Sequence, residues 1–160
     1  MHIQPGGVGL REIAEVKGET RSVINYRPGK VLDNREIFGL PVDILIPAAL
    51  PDVIRGDNMD RVKAKMVVEA ANIPVSPEIE EALRKRGVLV VPDVLANAGG
   101  VISSYAEYRG YNPKQMLKLV QRKIRRNTRT VLEYAEEKDT GLRDAALSIA
   151  KDRIRRARGY

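Results

Sequence analysis

VKAKMVVEAANIPVSPEIEEALRKRGVLVVPD, residues 62–93, decides the fold. Two short apolar runs rich in valine, over 64–69 and 88–91, flank a segment with helical start and stop signals. Neither run alternates strictly between apolar and polar residues, the mark of a strand covered on both faces in a parallel sheet. Between them Ser76 reads as an N-cap with Pro77 at the first helical position. The pattern predicts a helix over 78–86, with Gly87 as its stop. Strand, helix and strand at this spacing make a βαβ unit.

Working outward, VDILI at 42–46 reads as a third buried strand ending at Pro47. Upstream, Leu10, Ile13, Ala14 and Val16 suggest a short helix, and Asp33 reads as the N-cap of another. Asp57 is placed to cap a short helix over 58–62. The upstream third is punctuated by turns at Pro5-Gly6-Gly7, Pro28-Gly29 and Gly39-Leu40-Pro41. Downstream, a helix over 101–108 follows Gly99-Gly100. Asn112-Pro113 with Gln115 three positions after the cap predicts a capping box opening a long helix. Its apolar stripe is Leu117, Val120, Ile124, Val131 and Ala135, with Thr128 in the gap. Thr140 starts the last helix, with the stripe Leu142, Ala146, Ile149, Ala150, Ile154 and Ala157. The expected fold class is α/β, a small parallel sheet followed by two long helices.

The 160 residues suffice for one domain with a real core. With no Cys, a disulfide framework, a thiolate zinc site and a thiol nucleophile are excluded. The single His, at position 2, leaves no internal His for a triad or a helical zinc motif. No apolar run approaches a membrane span and no signal-peptide pattern opens the chain, so the expected location is cytoplasmic and no membrane partner is expected. Net charge is +7, but residues 1–108 carry 13 basic and 15 acidic side chains, whereas 109–160 carry 15 and 6. The basic run over 109–129 reads as a solvated helix face. Apart from Tyr111 no aromatic residue interleaves its arginines for base stacking, and a nucleic-acid partner is not expected.

In open α/β sheets, ligands bind beyond the carboxyl ends of the strands. Three segments stand there: Pro47-Ala48-Ala49-Leu50, Ala71-Asn72-Ile73-Pro74, and 92–100. Their small residues let a flat ligand approach the backbone, and an Asn side chain can bond a carboxamide or a ribose hydroxyl. Taken alone, Asn72 and Asn97 read as turn residues rather than ligand contacts, because Asn suits turns. Ser104, one turn into a helix, is placed either to face a cleft or to bond back to the carbonyl four residues earlier. Asp43 and Asp93, at strand ends, read as caps or turn makers. Pro5-Gly6-Gly7-Val8-Gly9 fails as a dinucleotide fingerprint, because Glu12 stands where the third Gly belongs and no strand fits before it.

DILIPAAL at 43–50, VKAKMVVEAAN at 62–72 and VLVVPDVLANAGGVISSY at 88–105 together resemble the glutamate/leucine/phenylalanine/valine dehydrogenase family, best its glutamate dehydrogenase branch. The resemblance continues through YAEEKDTGLRDAALSIAKDRI, similar to the family's C-terminal helix pair, and covers about 6–159. It implies a partial Rossmann-like cofactor domain: 1–108 as the second part of the NAD(P)-binding domain, and 109–160 as its C-terminal helical extension. It implies NAD or NADP as cofactor and glutamate as the family substrate, oxidatively deaminated to 2-oxoglutarate. By the same resemblance Ala48, Ala49, Asn72 and Asn97 match cofactor-binding positions. Val101 matches an apolar wall of the substrate pocket, and Ser104 a serine that binds the substrate's side-chain carboxylate. Ile73 stands where the family usually has Gly.

The family's catalytic lysine and aspartate, its glycine-rich phosphate loop and its acidic ribose-binding stretch have no matched position here. No catalytic residue is therefore assigned, and no metal site is expected. The isolated chain is expected to be inactive, a truncated member that self-associates or complements an N-terminal polypeptide. The alternative is a non-enzymatic paralogue or oligomerisation module.

Overall fold

The computed structural model describes residues 2–3, 9–27 and 29–159. The Pro5-Gly6-Gly7 turn, most of the Pro5–Gly9 glycine stretch and Pro28 lie outside the described residues. The elements are β1 (His2–Ile3), α1 (Leu10–Thr20), β2 (Lys30–Val31), β3 (Ile44–Leu45), β4 (Met66–Val68), α2 (Pro77–Lys85), β5 (Leu89–Val91), α3 (Asp93–Ala96), α4 (Gly99–Tyr108), α5 (Pro113–Lys138) and α6 (Leu142–Arg158). β1 and β2 form an antiparallel ribbon. β3, β4 and β5 form a parallel sheet in that order. Ile44 is opposite Met66, and Val67 opposite Val90. All three expected strands are present, and the fold is α/β with long C-terminal helices.

Alternate residues of a strand point to opposite faces, and β5 uses this to join two cores. Val90 belongs to a cluster with Leu45, Ile54, Val67, Val75 and Leu83, which packs α2 and the segment 53–64 on one face. Val91 packs against the second cluster, in which Leu95, Val131, Ala135 and Ala145 tie α3, α5 and α6 to the other face. A backbone bridge between Ile54 and Val75 extends the sheet region, with the amides of Val53 and Ile54 both donating to the Pro74 carbonyl.

The helix ends follow the sequence chemistry. Ser76 Oγ accepts from the Ile79 amide with Pro77 in the first turn. Gly87, at φ +81°, lets the Val88 amide reach back to the Leu83 carbonyl and close α2. Asn112 and Gln115 form the reciprocal capping box, at 2.9 and 3.0 Å.

Four expectations need correction. Asp33 caps no α-helix: its Oδ1 accepts from the Arg35 amide, and only a 3₁₀ turn over Ile37–Gly39 follows before Pro41. Asp57 does not cap 58–62. It pairs with Arg55, while Asn58 precedes a single 3₁₀ turn over Met59–Arg61. The Arg86 guanidinium supplies donors to the carbonyls of Met59, Asp60 and Val62 instead. On α5 the stripe begins one face over, with Leu119 buried and Leu117 exposed. On α6 the stripe holds to Ile149. Beyond it Ala150, Ile154 and Ala157 are exposed, since the helix outruns the surface it packs on.

Candidate functional site

The loops after β3, β4 and β5 converge beyond the carboxyl ends of the strands, and hydrogen bonds lace them together. The Pro47 carbonyl accepts from the amides of Ala70 and Ala71, at 3.1 and 2.9 Å. This ties the Ala48-Ala49 loop, which is exposed, to the loop carrying Asn72. Asn97 Nδ2 donates to the Ala71 carbonyl at 3.2 Å and to Asn72 Oδ1 at 2.7 Å. Asn72 and Asn97, 25 residues apart in sequence, are therefore in direct contact.

That contact fixes the orientation of both amides. The Ala71 carbonyl can only accept, so the Asn97 group facing it is the NH₂. The same NH₂ then requires the oxygen of Asn72. This leaves the Asn72 NH₂ and the Asn97 oxygen with no partner among the described residues, one free donor and one free acceptor on two contacting side chains. A primary carboxamide presents the complementary acceptor and donor.

Asp93 sits at the start of α3, and Asn97 follows that helix, its amide donating to the Asp93 carbonyl at 3.0 Å. Asp93 is buried. Its Oδ2 accepts from the Ile73 amide at 2.9 Å and its Oδ1 from the Val94 amide at 2.8 Å. Ile73 adopts φ +47°, a left-handed conformation that costs a β-branched residue strain. The Asp93 carboxylate on its amide and the Asp52 amide on its carbonyl hold it there. A Gly at this position would meet no such cost.

Arg143, on α6, places its guanidinium among three carboxyls: Glu69 from the end of β4, Glu80 from α2 and Asp93. Its Nη2 lies 2.9 Å from both Glu69 Oε2 and Asp93 Oδ1, and its Nε donates to Glu80 Oε1 at 2.6 Å. Glu69 is fully buried. Its Oε2 also accepts from the Asp93 amide, while its Oε1 has no donor. Burial, then the neighbouring Glu80 carboxyl, push the Glu69 carboxyl up to about 8. For Asp93, burial pushes upward, but the Ile73 amide, Arg143 and the Val94 amide outweigh it and hold the carboxyl below its usual value. Burial works against the charge on Arg143, yet its bond to Glu80 and the three acidic neighbours hold it firmly protonated. Sequence reading took Asp93 for a turn maker and gave Glu69, Glu80 and Arg143 no role. An ionisable residue closing the apolar run MVV was the available signal.

Val101 and Ser104 lie on the solvent side of α4. With Tyr105 and Tyr108 they form an i, i+3, i+4, i+7 stripe, in which Val101 is 77% and Tyr108 87% exposed. Ser104 Oγ donates to the Gly100 carbonyl at 3.2 Å, and Ser103 Oγ shares that acceptor at 2.7 Å. Ala48, Ala49, Asn72 and Asn97 thus fall on one laced loop cluster, and Val101 and Ser104 on the helix leading out of it. Gly99, which starts that helix, packs closely: a Cβ there would lie 3.4 Å from Val120 Cγ1. Among the described residues no helix is long and apolar enough to cross a membrane.

The family model for the glutamate/leucine/phenylalanine/valine dehydrogenases matches residues 1–160. The glutamate dehydrogenase of Aeropyrum pernix is 44% identical over 163 residues, covering 96% of this chain and 39% of that protein. The NADP-specific glutamate dehydrogenase of Saccharolobus shibatae is 37% identical, covering 97% of this chain and 38% of its own length. The hetero-hexameric glutamate dehydrogenase of Thermus thermophilus, in a leucine-bound crystal structure, superposes with a TM-score of 0.83 at 31% identity. That match covers 98% of this chain and 39% of that one. The chain spans about two fifths of the length of the curated relatives it matches. With a parallel sheet whose strand ends carry the laced loops, and with these matches along its whole length, the chain belongs to the glutamate/leucine/phenylalanine/valine dehydrogenase family.

Proposed function

We propose that the chain forms the nicotinamide side of the NAD(P) site of a glutamate dehydrogenase. The observation that carries this reading is the Asn72–Asn97 contact, which leaves one donor and one acceptor free at the strand ends. When bound, the nicotinamide cofactor supplies the hydride acceptor for oxidative deamination. Asn72 and Asn97 orient its carboxamide, and the methyl groups of Ala48 and Ala49 leave room for the ribose to approach the backbone. The similarity to an NADP-specific enzyme supports NADP as one candidate, with NAD the other.

The exposed stripe on α4 is the proposed substrate wall. Val101 supplies apolar surface, and Ser104 the hydroxyl for a side-chain carboxylate. A carboxylate only accepts hydrogen bonds, so Ser104 must leave the Gly100 carbonyl to donate to it. Ser103 keeps that carbonyl satisfied. This division of labour favours glutamate over a wholly apolar amino acid.

The 160-residue polypeptide alone is proposed to be inactive. Among the described residues the loop cluster offers no lysine amine, and its buried carboxylate, Asp93, is committed to two amides and Arg143. The uncovered stripe on α4 and the exposed Ile44 and Ile46 at the β3 edge support association with a second copy or a complementing polypeptide. Titration of the ¹⁵N-labelled chain with nicotinamide mononucleotide tests the reading. The Asn72 and Asn97 side-chain NH₂ resonances are expected to shift, and Asn97→Ala to abolish the response. No shift in the parent chain overturns the cofactor reading. Glutamate-dependent NAD(P)H formation by the purified polypeptide overturns the proposed inactivity, and a strictly monomeric species in sedimentation at micromolar concentration overturns the proposed association.

A further inference from the structure

We infer that Arg143 is a positioning residue for the Asn72–Asn97 pair, acting through Asp93. The inference rests on reading that pair as the carboxamide contact, but its first readout does not.

The geometry runs in one chain of contacts. Glu80 takes the Nε of Arg143 and so sets the plane of the guanidinium. Nη2 then bridges Glu69 Oε2 and Asp93 Oδ1. Asp93 is held at both ends, its amide by Glu69 and its carboxylate by Arg143. With its carboxylate fixed, Asp93 grips the Ile73 amide, and with it the turn that carries Asn72. Its backbone carbonyl accepts from the Asn97 amide. Both asparagines are therefore referenced to one buried carboxylate, and that carboxylate is referenced to Arg143.

The strained turn makes the arrangement consequential. Ile73 keeps its left-handed backbone only while its surroundings hold it. Without the guanidinium, Glu69, Glu80 and Asp93 face one another without a counter-ion. Like charges then drive Asp93 out of position or into its protonated form. Either change loosens the grip on the Ile73 amide, and Asn72 drifts from Asn97. A lysine supplies one point charge on a flexible stem and cannot meet three carboxyls in a fixed fork.

The test uses the ¹⁵N-labelled 160-residue chain, with Arg143→Lys and Asn112→Ala compared to the parent. Asn112→Ala removes a helix cap and lowers stability without touching the cluster. Arg143→Lys is expected to speed hydrogen exchange of the Ile73 amide by about tenfold beyond that control. It is also expected to move the Asn97 NH₂ resonances in the absence of ligand, and to weaken nicotinamide mononucleotide binding by about fivefold. Parent-like Ile73 exchange and Asn97 resonances in Arg143→Lys overturn the inference. If that variant does not fold, Glu80→Gln takes its place, with exchange at Ile73 expected to rise at least about threefold; no rise overturns it. If the mononucleotide moves no asparagine resonance in the parent, the cofactor reading fails while Ile73 exchange still decides the role of Arg143.

Discussion

Replacing Glu69 by Gln isolates the unusual proton in the buried cluster. Glu69 is fully buried, its Oε2 accepts from Arg143 and the Asp93 amide, and its Oε1 has no donor. A carboxyl pushed up to about 8 is protonated at neutral pH, and Oε1, the oxygen that accepts nothing, is the one free to carry the proton. Gln mimics that protonated form: its oxygen keeps the two accepted bonds and its NH₂ takes the place of the protonated Oε1. The sign follows from proton counting. Between the unfolded value of 4.5 and the folded value of about 8, the folded chain holds a proton that the unfolded chain has released. Stability therefore falls as pH rises through that window, by at most about 1.4 kcal/mol per pH unit. Integrated from pH 6 to pH 8, the loss for a folded value of about 8 is about 2 kcal/mol. Glu69→Gln removes this loss. Urea unfolding at half-unit steps from pH 5.5 to 8.5 is the assay, with the difference between variant and parent as the quantity read. The two are expected to lie within about 1 kcal/mol at pH 6, the variant gaining about 2 kcal/mol on the parent by pH 8. Parallel curves refute the proton held by Glu69 at neutral pH, as does a variant less stable by several kcal/mol throughout. Asp93 acts with the opposite sign. Its depressed value gives stability that is present above the ordinary aspartate range and lost as pH falls through the folded value. The cluster is thus most stabilising in weakly acidic solution.

Ile73→Gly relieves about 1–2 kcal/mol of left-handed strain and adds about 0.5–1 kcal/mol of unfolded-chain entropy. A net gain of about 0.5–1 kcal/mol is expected in urea midpoints at constant m-value, and a loss would show that the Ile73 side chain contributes more than its 57% exposure indicates. Asn112→Ala removes the side-chain acceptor of the Gln115 amide and leaves only the backbone half of the capping box, with an expected cost of about 1 kcal/mol and a lower melting temperature; an unchanged melt would show that the start of α5 is held by its packing on α4. Gly99→Ala just fits, at 3.4 Å from Val120 Cγ1, whereas Gly99→Val forces α4 from α5. The larger variant is expected to lose about 1–3 kcal/mol, and equal melts for the two would refute that close approach.

Local chemistry was legible wherever the answer lay within a few residues. Ser76-Pro77 with Gly87, and Asn112-Pro113 with Gln115, set the ends of α2 and the start of α5 as read, because caps and stops are satisfied by near neighbours. The three apolar runs became the three parallel strands, although their paired cores, 44–45, 66–68 and 89–91, are shorter than the runs. Asp33 and Asp57 misled because a good cap opens a helix only if an apolar face follows; Phe38 and Met59 reach the core from single 3₁₀ turns instead. Leu117 misled because its spacing suits either of two adjacent faces, and only tertiary packing chooses between them.

Long-range polar geometry was not legible, and the reason bears on how the site works. Asn72 meets Asn97 across 25 positions, and Arg143 meets Glu69 across 74. Neither spacing carries a period or motif, since the sheet order and the return of α6 create the contacts. The residues expected to touch the ligand, Ala48, Ala49, Asn72 and Asn97, are small or short and hold few contacts of their own. Their placement comes from backbone groups, such as the Pro47 carbonyl and the Ile73 amide, and from the buried carboxyls behind them. A replacement at Glu69 or Arg143 should therefore reach the asparagines more strongly than an equally destabilising change on α5. The same stability loss at two sites would then give two different binding losses, and equal losses would reduce the cluster to a stabilising ion network alone.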